Sequence, residues 1–192
     1  THIAINGSYW AGLKSTYDFN NNTVDNEFLK FGNKYYKDLA VELRKRFTSN
    51  FQMIAMYMNQ YYNAPMLEAK FEDVKTDIAS IEGLYNFSET SSVRLQLQNM
   101  WATADKGDWG AALLEYVPNT MFSIYVTDMY NYGNSNPESR IHYYSVGGSF
   151  SKGATRIAVN YGRQRGGLMC VGGVCRYVPE SNGFTLNLTT NF

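Results

Sequence analysis

Cys170 and Cys175 bracket the tetrapeptide Val171–Gly172–Gly173–Val174. Gly-Gly suits a two-residue hairpin turn. Such a turn makes Val171 and Val174 the hydrogen-bonded pair and sets Cys170 opposite Cys175 at the next, non-hydrogen-bonded position. Cα atoms there lie about 4.5 Å apart, the short edge of disulfide geometry, which begins near ~4.4 Å. An oxidising compartment would close the bridge. Free thiols are the alternative. A metal is the poorest fit, because His2 and His142 are the only imidazoles available to complete a zinc set. No metal and no other cofactor is expected.

Catalytic chemistry has little to stand on. A hydrolytic site needs an imidazole within reach of a carboxylate. His142 near Asp128 is the one candidate, since His2 lies at the chain start, and a rim histidine is the plainer reading of it. No serine motif is recognisable. "GNKYY" and "GGSFSKGA" contain glycine without phosphate-binding spacing. The expectation is a protein that is not an enzyme. Segment 12–34 gathers Asn20, Asn21, Asn22 and Asn26 with Asp18 and Asp25. Those oxygens suit Ca²⁺, but the spacing is not that of an EF-hand loop, and a solvated surface loop is expected.

Position follows from periodicity, and the dominant period is two. "VRLQLQNMWA" puts Val93, Leu95, Leu97 and Trp101 on one face and Arg94, Gln96 and Gln98 on the other. "LAVELRKRF" sets Leu39, Val41, Leu43 and Phe47 against Ala40, Glu42, Arg44 and Arg46. "TRIAVNYGRQ" and "ASIEGLYNF" alternate likewise. About ten such runs fill the chain, and strands of ~10–14 residues are expected from them. Asp128 and Asn99 fall in phase with apolar neighbours. Either they sit beyond the apolar band or a bulge shifts the phase. Links near 48–50, 88–92, 118–120 and 151–154 are short turns. Between them fall longer or more polar links at 12–34, 64–72, 132–138 and 166–181, with 105–107 as a short exception.

Composition narrows the partners. Lys plus Arg is 17 and Asp plus Glu is 17. No basic field attracts nucleic acid, and none is expected as a partner. No run of ~18 apolar residues exists, so no helix spans a membrane. The start "THIAINGSYW" lacks the basic and apolar regions of a signal peptide. Either a signal was removed or the chain is the later part of a longer one.

Alternation fits a soluble sandwich as well as a barrel in lipid. Three features favour the barrel. Tyr and Phe cluster near strand ends, at Tyr35, Tyr36, Phe47, Phe51, Tyr61, Tyr62, Tyr85, Phe87, Tyr116, Phe122, Tyr130, Tyr143, Tyr144 and Phe150, as interfacial girdles require. The strands exceed the usual ~5–6 residues and suffice to cross lipid at a tilt. The last segment, "NGFTLNLTTNF", alternates Phe184, Leu186, Leu188 and Phe192 against polar residues.

That segment resembles the carboxy-terminal assembly signal of Gram-negative outer-membrane barrels, and the resemblance implies recognition by the barrel-assembly machinery. The stretch "GGLMCVGGVCRYVPESNGFTLNLTTNF", above all "GGVCRYVPESNGF" from Gly172 to Phe184, is similar to the carboxy-terminal end of a family of uncharacterised Bacteroidota outer-membrane barrel proteins. Family members are longer, which implies that this chain is a carboxy-terminal portion. The family carries no established activity.

The expected architecture is an all-β, antiparallel transmembrane β-barrel of about ten strands, residues 1–192, or the last part of a larger barrel. Pairing residue i with 345 − i would set Thr155 against Thr190 and Ile157 against Leu188, with an interruption near Pro179. Strand one would turn Ile3, Ile5 and Tyr9 outward. Glu42, Arg44, Arg46, Glu82, Arg94, Glu115 and Arg156 form the expected lumen-facing polar cluster. Salt bridges filling a narrow lumen are the first reading of them, and a charge-selective pore the second. The expected function is a structural or accessory subunit of an outer-membrane complex, with a solute channel as the alternative and a secreted soluble β protein as the remote one. The expected partners are outer-membrane lipids, including lipopolysaccharide, and other outer-membrane proteins.

Overall fold

The computed structural model describes residues 1–68, 72–104, 106–171 and 174–190. Side chains at 16, 25–29, 68, 167–171, 174–176 and 178 fall outside the description. The strands are β1 (His2–Asp18), β2 (Thr23–Arg46), β3 (Phe51–Tyr62), β4 (Val74–Asn86), β5 (Ser92–Ala102) and β6 (Trp109–Asn119). They continue as β7 (Phe122–Tyr130), β8 (His142–Lys152), β9 (Thr155–Gln164), β10 (Gly167–Val171), β11 (Val174–Val178) and β12 (Ser181–Thr190). One short helix, Ala64–Glu68, follows β3, and a single 3₁₀ turn, Pro137–Ser139, precedes β8. The fold is all-β. Ten strands form one antiparallel sheet in the order β1-β2-β3-β4-β5-β6-β7-β8-β9-β12. Each strand pairs with its chain neighbour except that β9 pairs with β12 across the separate β10–β11 ribbon, and β1 and β12 are the edges.

The links segregate by end. Turns after β2, β4, β6 and β8 are tight; Phe47 N–H donates to the Phe51 carbonyl at 2.9 Å, and Phe87 N–H to the Ser91 carbonyl at 2.9 Å. The opposite end carries the longer links. There the β5–β6 link docks on the β7–β8 link: Gly133 N–H donates to the Asp108 carbonyl at 3.1 Å. Gly107 holds φ at +74°, and a Cβ on it would stand 2.1 Å from the Gly133 carbonyl oxygen. Only glycine serves at that crossing.

Segment 12–34 is not the loop that its asparagines suggest. It is a hairpin prolonging β1 and β2 beyond the other strands, with its turn at 19–22. Register shifts between Trp10 and Lys14 break the period there, which hides the strands from a pattern reading. Segment 166–181 likewise holds the β10–β11 ribbon. Its register keeps the sum 345: Cys170 faces Cys175, and Thr155 faces Thr190 on β9–β12. Pairing lapses between Val178 and Ser181, at Pro179, whose nitrogen has no proton to donate.

The sheet has almost no interior. Among the described residues the buried apolar side chains are Ala40, Tyr61, Ala64 and Trp109. The chain exposes 13579 Å². A compact soluble chain of this mass exposes on the order of 9,300 Å². The excess is the signature of a single layer without a second layer on either face.

Candidate functional site

The pairing fixes two faces. Ile5, Val41, Tyr57, Ala79, Asn99 and Gly110 share one side through successive registers, and so do Leu95, Leu114, Val126, Val146, Tyr161 and Phe184. This side is apolar over its middle. Ile5 is 69 %, Ile124 55 % and Leu186 70 % exposed, because nothing in the described chain covers them. Phe184, Leu186 and Leu188 all stand on it; Phe192 lies outside the described residues.

Aromatic rings bound this face. At the short-turn end Phe47 stacks on Phe51 at 5.6 Å, Tyr85 meets Phe87 at 5.1 Å, Phe87 meets Tyr116 at 6.4 Å and Phe122 meets Phe150 at 5.0 Å. At the other end Tyr144 and Tyr161 lie 6.4 Å apart, and Tyr161 and Phe184 4.7 Å. Tyr36, Tyr62 and Tyr143, which strand-end position alone groups with these rings, carry the parity of the opposite face. A row of polar groups closes the apolar side at the long-link end. Tyr57 and Asn59 donate to Asp77 Oδ1 at 2.5 and 2.8 Å. Asn99 bonds the Tyr132 hydroxyl. Asp128 Oδ2 lies 2.7 Å from His142 Nδ1, with the His142 ring stacked 4.0 Å from Tyr130. No bulge interrupts β5 or β7 at Asn99 or Asp128; both stay in phase with the apolar face, where Asn99 meets Tyr132 and Asp128 meets His142.

The opposite face gathers the charged cluster. Glu42, Arg44, Arg46, Glu82, Arg94, Glu115 and Arg156 all carry its parity. Arg94 bridges two strands, reaching Glu115 at 2.9 Å and Glu82 at 3.8 Å. Arg44 pairs with Glu42 at 2.5 Å. Arg156 instead donates to Ser149 Oγ at 3.3 Å, and Arg46 stands apart from these pairs. Between β7 and β9 the same face also carries uncharged hydrogen-bonded groups. Tyr125 and Ser145 both donate to Asn160 Oδ1, at 3.1 and 2.5 Å. Tyr125 lies over Gly147, where a Cβ would come 2.7 Å from its hydroxyl. A glycine inside a strand is the one sequence signal that marks such a close approach. The stack of Trp109 on Tyr143, 6.1 Å between centroids, escapes pattern reading because the two residues sit on strands separated by β7.

A family model matches residues 1–192, the whole chain. The chain belongs to DUF6029, a family of unknown function. No curated protein and no solved structure matches it. Its cysteines face each other in backbone register, while their side chains and the Gly172–Gly173 turn lie outside the described residues. Among the described residues no three His, Cys, Asp or Glu side chains converge as metal ligands.

Proposed function

We propose that this DUF6029 chain is an integral outer-membrane β-barrel protein, or ten strands of one, with a structural or accessory role in an outer-membrane complex and no catalytic activity. The exposed apolar face carries the reading. Contiguous apolar patches on soluble monomers rarely exceed a few hundred Å², whereas this face runs across ten strands between two aromatic bands. Lipid is the solvent such a face matches. β3 to β9 hold 9 to 13 residues each, and ~9–11 suffice for a tilted crossing. Short turns would then lie on the periplasmic side and longer links outside.

In lipid the free edges of β1 and β12 cannot stay unpaired, since each unmet backbone group costs several kcal/mol. They meet each other or further strands. On this reading Phe184, Leu186 and Leu188 point to lipid as part of an assembly signal, and Cys170 and Cys175 form a disulfide. The test is fractionation after expression in a Gram-negative host. Detergent-dependent recovery from the outer membrane supports the reading; recovery as a soluble periplasmic protein refutes it. A solute channel is the second reading, favoured by an open cleft of about 780 Å³ on the polar face lined by Thr127, Ser145, Asn160 and Thr185 among others, and stepwise conductance in planar bilayers is its test.

A further inference from the structure

The apolar face is not evenly filled. An open groove of about 360 Å³ lies across β3, β4 and β5, in the half of the sheet nearer the short turns. Met53, Gly83 and Leu95 stand there in one cross-strand row, and the middle residue has no side chain. Met53 and Leu95 become walls, and the β4 backbone becomes the floor. Phe51 and Tyr85 close the end nearest the turns, while Ile81 and Leu97 carry the groove towards mid-sheet. A Cβ on Gly83 would meet nothing closer than the Phe51 ring, at 3.5 Å, so the gap is room that no neighbour takes up. No charged side chain lines it.

A cation stands beside this groove. Lys45 pairs with Met53 in register, so it extends the same row on the apolar face. It is exposed and has no ion pair among the described residues. Its ammonium lies 4.8 Å over the Phe47 ring, and Phe47 stacks on Phe51 at the end of the groove. A ring face holds a cation without neutralising it. The β2–β3 turn at 48–50 adds no acid. A lysine on a lipid-facing surface lays its stem along the apolar side and carries its charge up to headgroup level. The groove follows β5 from Val93 to Leu97, a length of ~14 Å. One leaflet supplies about half of a ~30 Å hydrocarbon core. Length and charge together describe a run of methylenes that ends in an anion.

We infer that this groove seats one acyl chain of an anionic glycerophospholipid, with the lipid's negative head group on Lys45. The inference rests on the membrane reading and deepens it, by setting one lipid seat apart from the general apolar belt. On that reading the short turns face the periplasm, the side whose leaflet is glycerophospholipid. Lys152 shares the face and the end of the sheet with Lys45 but sits on β8, three strands beyond the groove, and serves as the control.

The test is native mass spectrometry of the full chain in detergent micelles, titrated with phosphatidylglycerol and with phosphatidylcholine of the same acyl chains. One phosphatidylglycerol is expected to bind saturably, roughly fivefold more tightly than phosphatidylcholine, the worth of one basic residue at a charged lipid surface. Lys45→Gln is expected to abolish that preference, and Lys152→Gln to change it by less than about twofold. Gly83→Leu fills the floor and is expected to weaken both lipids roughly fivefold or more, with Gly83→Ala a milder step in the same direction. Heat-modified gel mobility reads the fold of each variant separately. Equal binding of the two lipids by a folded parent, an undiminished preference in folded Lys45→Gln, or unchanged binding in both folded Gly83 variants overturns the inference and leaves the membrane reading standing. Glycerol phosphate competing as strongly as the whole lipid would reduce the seat to a bare anion site, and lipid A displacing phosphatidylglycerol would move it to the other leaflet; either overturns the assignment. A parent chain recovered as a soluble protein overturns both readings.

Discussion

Arginine placed along β5 measures the two faces against each other. Val93, Leu95, Leu97, Asn99 and Trp101 share the apolar side. Eight steps at ~3.4 Å span about 27 Å along the strand; at a tilt of ~35–45° that is about 19–22 Å of depth, close to the ~25 Å apolar band of outer-membrane barrels. Leu97 is the middle position. Leu97→Arg is expected to cost about 2–4 kcal/mol in a bilayer, and Val93→Arg, near the ring band at Tyr85 and Phe87, about 0–1 kcal/mol. Gln96→Arg lies one residue away but on the polar side, where Arg94 already finds Glu82 and Glu115, and is expected to cost less than about 1 kcal/mol. Urea titrations of the chain folded into short-chain phosphatidylcholine vesicles, followed by tryptophan emission, give the three values. Equal costs at Leu97 and Gln96, or costs independent of position along β5, would refute the assignment of the apolar face to lipid.

Three further outcomes are expected. Gly107→Ala combines a left-handed backbone, worth roughly 1–2 kcal/mol, with a collision at the Gly133 carbonyl; loop proteolysis between β5 and β6 should rise while strand content by circular dichroism stays unchanged. A double-mutant cycle on Arg94 and Glu115, a pair about one-third exposed, should return a coupling of about 1 kcal/mol or less and shrink in high salt. Asp18 is held below the usual carboxylate range, chiefly by the Asn20 N–H and then by the Asn21 side chain. A depressed carboxyl favours the folded turn above its unfolded range and loses that benefit as pH falls through the lowered value. Asn21→Ala should move the Asp18 titration part-way back up in a carboxyl-carbon NMR experiment, and an unmoved titration would contradict the contact.

Strand existence and the sharing of faces were legible because period two ran through β4, β9 and β12, and the 345 register followed from the turn expected at Gly172–Gly173. Asp128 and Asn99 looked like errors of phase; the register shows no bulge at either, and their partners His142 and Tyr132 come from beyond the β7 strand, out of reach of a pattern reading. The long hairpin of β1 and β2 was not legible. Three asparagines at its turn and successive register shifts removed the alternation a pattern reading relies on. Residue types alone named the charged cluster, yet not its pairing, because Arg94 meets Glu82 and Glu115 only once three strands are aligned. The Trp109–Tyr143 stack joins residues from two non-adjacent strands, and Arg165, just past the end of β9, lies over Trp109, so no local spacing announces the group.

Every pairing in the main sheet links strands that follow one another in the chain, apart from the short ribbon inserted between β9 and β12. Each hairpin therefore closes a small loop and can zip onto the one before it. Joining the free side of β1 to β12 would instead close a loop of ~180 residues. Relative to a link of ~4 residues that costs roughly 3 kcal/mol more in chain entropy. Such a seam would be the last contact to form and the first to part. Backbone amides along it would exchange with solvent deuterium ahead of those in β4 and β5, whatever the sequence on either side.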